Sequence, residues 1–177
     1  MTPEQIKALI RTVPDFPQPG IQFRDINTLI AHSEGLAAAI DAMAEAAPEG
    51  LAAIAGIEAR GFIFGSALAT RLGLGFLPLR KPGKLPVPSI GQDYSLEYGE
   101  ARLELDPTLL EEGKPVLLVD DLIATGGTAT AGVELLRRAG ARCEHAAFVI
   151  DLPDLGGATR LTEIGVKSHA LLAFEGE

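Results

Sequence analysis

At 177 residues the chain has the size of one ordinary domain, and its hydrophobic (47%) and charged (22%) fractions are those of a soluble globular protein. A net charge of −9 argues against a nucleic-acid partner, and a single cysteine, Cys143, excludes an internal disulfide and suits a reducing compartment. The opening M-T-P-E-Q-I-K has no signal pattern and no apolar run approaches a membrane span, so no membrane partner is expected and the cytoplasm is the expected location.

Thr2-Pro3-Glu4-Gln5 reads as a helix start, with a threonine cap, proline in the first turn and glutamine three residues on. Ile6, Leu9, Ile10 and Val13 mark one helical face, and Pro14 ends it. The next stretch, D-F-P-Q-P-G-I-Q-F-R-D-I, is pinned by prolines and Gly20, an irregular loop with Phe16, Ile21 and Phe23 tucked inward. Leu36, Ile40, Met43 and Ala47 predict a helix bounded by Ser33 and Pro48. Leu51 to Ile57 predicts a buried strand, which runs through E-A-R-G into a helix from Phe62 to Leu72 stopped by Gly73. Phe76 to Leu79 is another short strand.

The segment R-K-P-G-K-L-P-V-P-S-I-G-Q-D that follows is long for a compact domain, which marks it as a lid or a connector. Tyr94 to Tyr98 alternates as an edge strand, and Ala101, Leu103 and Leu105 alternate with charged residues as a half-exposed one. Pro115 cannot donate to a ladder, so a strand starts there, and Val116 to Val119 suit burial on both faces of a parallel sheet. Asp120 and Asp121 fall at its carboxyl edge, where open α/β sheets bind ligands. Ala124-Thr125-Gly126-Gly127-Thr128 then enters a helix that stops at Gly140. Cys143 to Ile150 is a further strand, followed by D-L-P-D-L-G-G, a short helical stretch near Leu161 and a last strand from Ala170 to Phe174. His32, His145 and His169 lack metal-ligand spacing and read as structural. The order predicts an α/β fold, a mostly parallel sheet flanked by helices, in one domain spanning 1–177.

The chemistry concentrates after the central strand. A loop of small residues at a helix start presents backbone N–H groups to an anion, aided by the helix dipole. Gly126 and Gly127 let the backbone close on a phosphate, and Thr125 and Thr128 add hydroxyls. No lysine follows the glycines, so the nucleoside-triphosphate pattern is absent and a terminal monophosphate fits better. Adjacent carboxylates repel a bare phosphate, so ribose hydroxyls or magnesium are the partners expected for Asp120 and Asp121. Together these point to a sugar phosphate.

V-L-L-V-D-D-L-I-A-T-G-G-T resembles the phosphoribosyl-pyrophosphate (PRPP) signature of the type I phosphoribosyltransferases. The resemblance implies that Asp120 and Asp121 hold the ribose diol and that Ala124, Thr125, Gly126, Gly127 and Thr128 hold the 5′-phosphate. F-P-x-P-G-I-x-F-R-D-I is similar to the amino-terminal segment of the adenine phosphoribosyltransferases, a small hood formed by about residues 1–30. There Phe23 would stack on the purine and backbone groups around Gln22 and Arg24 would read its edge. G-I-E-A-R-G-F resembles the family's pyrophosphate loop, with Glu58 and Ala59 joined by a cis peptide and Arg60 facing the pyrophosphate. R-K-x-G-K-L-P and Y-S-L-E-Y-G resemble the ends of the family's flexible catalytic loop, with Lys81 and Lys84 reaching the pyrophosphate, Glu97 exchanging a proton with the purine, and Tyr98 beside it. Leu152 lies where family members bring an apolar side chain to the base.

The family's activity, adenine plus PRPP giving AMP plus pyrophosphate in purine salvage, is therefore expected, with magnesium held through PRPP and water rather than by protein ligands, in a cytoplasmic homodimer. Two other readings stay open: transfer to hypoxanthine, guanine, xanthine or orotate, and a PRPP-sensing regulator without catalysis. The acidic chain lacks the basic surface that such a regulator needs to bind nucleic acid.

Overall fold

The computed structural model describes residues 1–96 and 99–176; Glu97 and Tyr98, two of the expected site residues, lie outside them. In chain order the elements are α1 (Pro3–Ala8), β1 (Arg11–Pro14), β2 (Gln22–Asp25), α2 (Asn27–Ile30), α3 (Ser33–Ala46), β3 (Ala53–Ile57), α4 (Arg60–Leu72) and β4 (Gly75–Leu79). They continue as β5 (Ile90–Leu96), β6 (Gly99–Leu105), β7 (Pro115–Ile123), α5 (Gly127–Arg138), β8 (Arg142–Asp151), α6 (Gly157–Glu163) and β9 (Lys167–Ala173). Five strands form one parallel sheet in the order β4-β3-β7-β8-β9, which puts β7 at its centre.

Successive residues of a strand point to opposite faces, and here both faces are covered. Ala55, Ile57, Leu118 and Phe148 pack on one side against Val133 and Leu136 of α5 and Leu103 and Leu105 of β6. Ile54, Leu117, Val119 and Val149 pack on the other against Ile40 and Met43 of α3, Phe64 and Leu68 of α4, and Ile6 of α1. Full burial of each such Leu, Ile or Phe contributes roughly 1.5–3 kcal/mol. This explains why β3 and β7 are continuous apolar runs rather than alternating ones.

Most predicted elements are present, but the stretch read as an irregular loop contains β2, which pairs with β1, and α2 follows it unpredicted. The Thr2–Gln5 capping box forms as expected, Gln5 Oε1 accepting from the Thr2 N–H at 2.8 Å and Thr2 Oγ1 from the Gln5 N–H at 3.3 Å. The helix nevertheless stops at Ala8 instead of running to Val13, because Arg11–Pro14 pairs antiparallel with β2, Val13 opposite Phe23. Ile21 and Phe23 are only partly buried, and Phe16 is half exposed and meets Phe23 edge-on at 5.1 Å. Ile90–Asp93, read as part of the loop, belong to β5, drawn into an antiparallel hairpin in which Ile90 lies opposite Leu105. The central strand does not end before the acidic pair. Pairing with β8 carries it through Asp120 to Ile123.

The histidines have structural places. His32 Nδ1 accepts from the Gly35 N–H at the start of α3, and His145 and His169 stack on adjacent strands with Nδ1 and Nε2 at 3.0 Å.

Candidate active site

The site lies at the carboxyl ends of β3 and β7. Asp121 is 5% exposed and its Oδ2 accepts from Arg60 Nε at 2.5 Å, so the first residue of α4 reaches across to the central strand. Burial opposes the Arg60 charge, but the bond to Asp121 and the nearby carboxylates outweigh it and hold Arg60 cationic above its ordinary value. The Asp120 Oδ1 accepts from the Asp121 N–H at 2.8 Å. Burial, followed by the charge of Asp121, pushes the Asp120 carboxyl well above the usual range.

A cavity of about 210 Å³ is lined by Arg60, Asp120, Asp121 and the loop residues Ala124 to Thr128. A second, of about 300 Å³, lies under the hood between Ile21, Gln22, Phe23 and Arg24 on one wall and Leu122, Leu152 and Leu155 on the other. Both are lined by Arg60 and Leu122, so they adjoin. One is walled by carboxylates and backbone amides, the other by apolar and aromatic side chains. That arrangement suits a ligand with a phosphorylated sugar at one end and a flat apolar ring at the other.

The peptide between Glu58 and Ala59 is cis, as the resemblance implies. The Glu58 carboxylate does not pair with Arg60. It accepts from the Lys81 N–H at 2.7 Å and from Arg80 Nε at 3.0 Å, which ties the start of the lid to the end of β3. Burial disfavours the Glu58 charge, but these donors outweigh it and hold its carboxyl below the usual range. Lys81 Nζ donates to the Tyr94 hydroxyl at 3.0 Å, so in this state the cation rests on the hairpin rather than over the acidic pair. Lys84 is exposed. Arg138 of α5 anchors the same hairpin through the Gly91 carbonyl and Gln92 Oε1, at 2.7 and 2.8 Å.

Every described site residue expected from the sequence except Glu58, Ala59, Lys81 and Lys84 lines one of the two cavities. One cation was not legible in advance. Gly157 N–H donates to the Ala124 carbonyl at 2.9 Å, docking the start of α6 directly on the phosphate loop. One turn later Arg160 lies beside that loop, its Nη1 3.8 Å from where a β-carbon on Gly127 would sit. Among the described residues it makes no ion pair. Nothing in its local sequence distinguishes it from a solvated arginine; only the docking of α6 gives it a place.

This fold and trough define a phosphoribosyltransferase domain of type I, and residues 22–168 match the family described as "Phosphoribosyl transferase domain". The relatives are more specific. An adenine phosphoribosyltransferase of Erythrobacter litoralis is 64% identical over 99% of both chains. The crystal structure of adenine phosphoribosyltransferase from Thermoanaerobacter pseudethanolicus superposes with a TM-score of 0.92 at 41% identity, covering 98% of this chain and 100% of that one. The Saccharomyces cerevisiae enzyme, in complex with an imino-altritol bisphosphate and adenine, gives a TM-score of 0.89 at 36% identity, covering 96% and 98%. The chain belongs to the adenine phosphoribosyltransferase family.

Proposed function

We propose that this chain transfers the 5-phosphoribosyl group of PRPP to adenine, giving AMP and pyrophosphate. The observation that carries the reading is the pair of adjoining cavities, one built for a sugar phosphate and one for a flat base, sharing Arg60 and Leu122. The yeast relative, whose complex holds adenine together with a bisphosphorylated sugar mimic, supports the same assignment.

In this mechanism the backbone N–H groups of 124–128 hold the 5′-phosphate, and Phe23 and Leu152 sandwich the base. Displacement of pyrophosphate builds positive charge on the ribose ring; the Asp121 carboxylate, paired with Arg60, stabilises it, and the Asp120 carboxyl hydrogen-bonds the diol. Arg60 spends its Nε on Asp121, leaving its terminal N–H groups for the pyrophosphate. Lys81 and Lys84 join it when the lid closes, which also keeps water from hydrolysing PRPP.

Among the described residues no group of three or more His, Cys, Asp or Glu is arranged to hold a metal ion. The oxygen-rich lining of the site suits magnesium carried in on PRPP with its own water rather than on protein ligands. Bound in that way, magnesium would supply charge neutralisation for the pyrophosphate that leaves. The reading places the chain in purine salvage as a cytoplasmic homodimer with no nucleic-acid or membrane partner. The net charge of −9 disfavours a nucleic-acid partner, and among the described residues no helix is long and apolar enough to cross a membrane.

One assay tests the reading: PRPP, magnesium and each nucleobase in turn, with pyrophosphate release measured. Release with adenine alone is expected. Release with hypoxanthine or guanine would reassign the base, and release with none would leave a PRPP-binding regulator. Arg160→Gln should raise the KM for PRPP about threefold to tenfold by removing a cation near the 5′-phosphate. The thermal midpoint should not change, since Arg160 has no ion-pair partner to lose among the described residues. An unchanged KM would make Arg160 a bystander.

A further inference from the structure

The segment after β9 is absorbed by nothing above, yet it touches both walls of the base cavity. Phe174 is 8% exposed, and two cations approach its ring, Lys7 Nζ 4.6 Å and Arg24 Cζ 4.8 Å from the centroid. Lys7, on α1, also donates to the Ala173 carbonyl at 2.5 Å. Arg24 Nη2 donates to the Glu175 carbonyl at 3.1 Å and Nη1 to Thr12 Oγ1 at 2.7 Å, while its buried Nε has no partner. Apart from the bond to Thr12 of the hood itself, the Arg24 head is therefore held by residues 174 and 175.

The same few residues bind the opposite wall. The Phe174 N–H donates to the Asp151 carbonyl at 3.0 Å, and the Gly176 N–H to Asp154 Oδ2 at 2.8 Å. Asp154 sits in the 3-10 turn Pro153–Leu155, and Leu152 and Leu155 line the cavity. The cavity is thus assembled from two stretches far apart in sequence, around 21–24 and 152–155, and residues 173–176 bridge them. The hood strands β1 and β2 form only a two-stranded sheet, a unit that is marginal unless packed against something else. The tail is one of the elements that pack here, beside the core residues Ile10 and Ile26 that flank the two strands.

We propose that residues 173–176 act as a clasp that sets the width of the base cavity, with Phe174 a positioning residue for the base. Phe174 holds the Arg24 side chain by its face, and Arg24 in turn fixes the backbone of β2 that reads the ring edge. The inference rests on the assignment of that cavity to adenine. It also implies selectivity between substrates. The phosphate loop lies on β7 and α5, to which the clasp makes no hydrogen bond, so PRPP should not sense it.

Phe174→Leu keeps an apolar filler but removes the ring face. It should raise the KM for adenine about fivefold to tenfold, the worth of a lost cation–π contact and a loosened hydrogen bond, with KM for PRPP within about twofold of the parent. Phe174→Tyr, which restores the face, should return the adenine KM to the parent value. Lys7→Met, which removes the exposed one of the two cations at the ring, should give a smaller rise of about twofold to threefold and settles the question if Phe174→Leu does not fold. Adenine affinity is measured in parallel by calorimetry, so the clasp is read even if the parent releases no pyrophosphate with adenine, an outcome that would sink the substrate assignment instead. Equal rises in both KM values, or an adenine affinity unchanged in folded Phe174→Leu and Lys7→Met, would overturn the proposal.

Discussion

Gly127→Val is expected to raise the KM for PRPP about 10- to 100-fold while moving the thermal midpoint little. The magnitude is that of one or two charge-assisted hydrogen bonds lost between backbone amides and a phosphate. The free protein has room for the new side chain at its root. A β-carbon on Gly127 would find Ser95 O at 3.5 Å and Arg160 Nη1 at 3.8 Å, both ordinary contacts, and the backbone there is already helical. In the proposed binding mode the valine methyl groups would instead occupy the face through which the loop amides approach the 5′-phosphate. Gly126 would not separate the two effects. Its φ is +80° and a β-carbon would come within 2.9 Å of the Gly157 Cα, so alanine there costs about 1–2 kcal/mol of backbone strain before any clash. Steady-state kinetics with varied PRPP, read beside a calorimetric melt, decides the matter. An unchanged KM would mean that the loop merely caps α5.

The second large effect concerns Glu97, between the described strands β5 and β6. Adenine must lose the proton at ring position nine as the new bond forms, and charge must not be left on the purine. In the role that the family resemblance implies for Glu97, a carboxyl would hydrogen-bond the far side of the ring or exchange a proton with it. Glu97→Gln keeps shape and a donor but cannot ionise, so single-turnover chemistry should slow by ~10²–10⁴-fold with PRPP affinity nearly unchanged. The single-turnover format matters because slow product release could conceal the loss. A variant within about threefold of the parent, with chemistry shown to limit the rate, would remove Glu97 from the catalytic residues.

The expectations that held were those encoded within a few residues. The capping box of α1, the glycine stop after α4, the double-faced apolar runs of β3 and β7, and the acidic pair followed by a small-residue loop depend only on neighbours in the chain. Caps, periodicity and glycine turns are local physics, so the α/β order and the sugar-phosphate chemistry are legible in the amino-acid sequence alone. What resisted reading was every choice of distant partner. Val13 continues a helical face in sequence, yet β2 recruits it into a strand. Arg60 pairs with Asp121, 61 residues away, and not with the nearby Glu58, which instead pins Arg80 and the lid. Arg160 gains a place beside the phosphate loop only because the Gly157 N–H meets the Ala124 carbonyl. Phe174, an apolar residue at the end of a strand, gains two cations from the far end of the chain. By itself the sequence determined the elements of the central α/β layer and the small-residue loop that opens α5. Only tertiary closure decided which side chains meet, because a long-range pairing is selected by the packing of the whole sheet and hood and leaves no trace in the residues beside it.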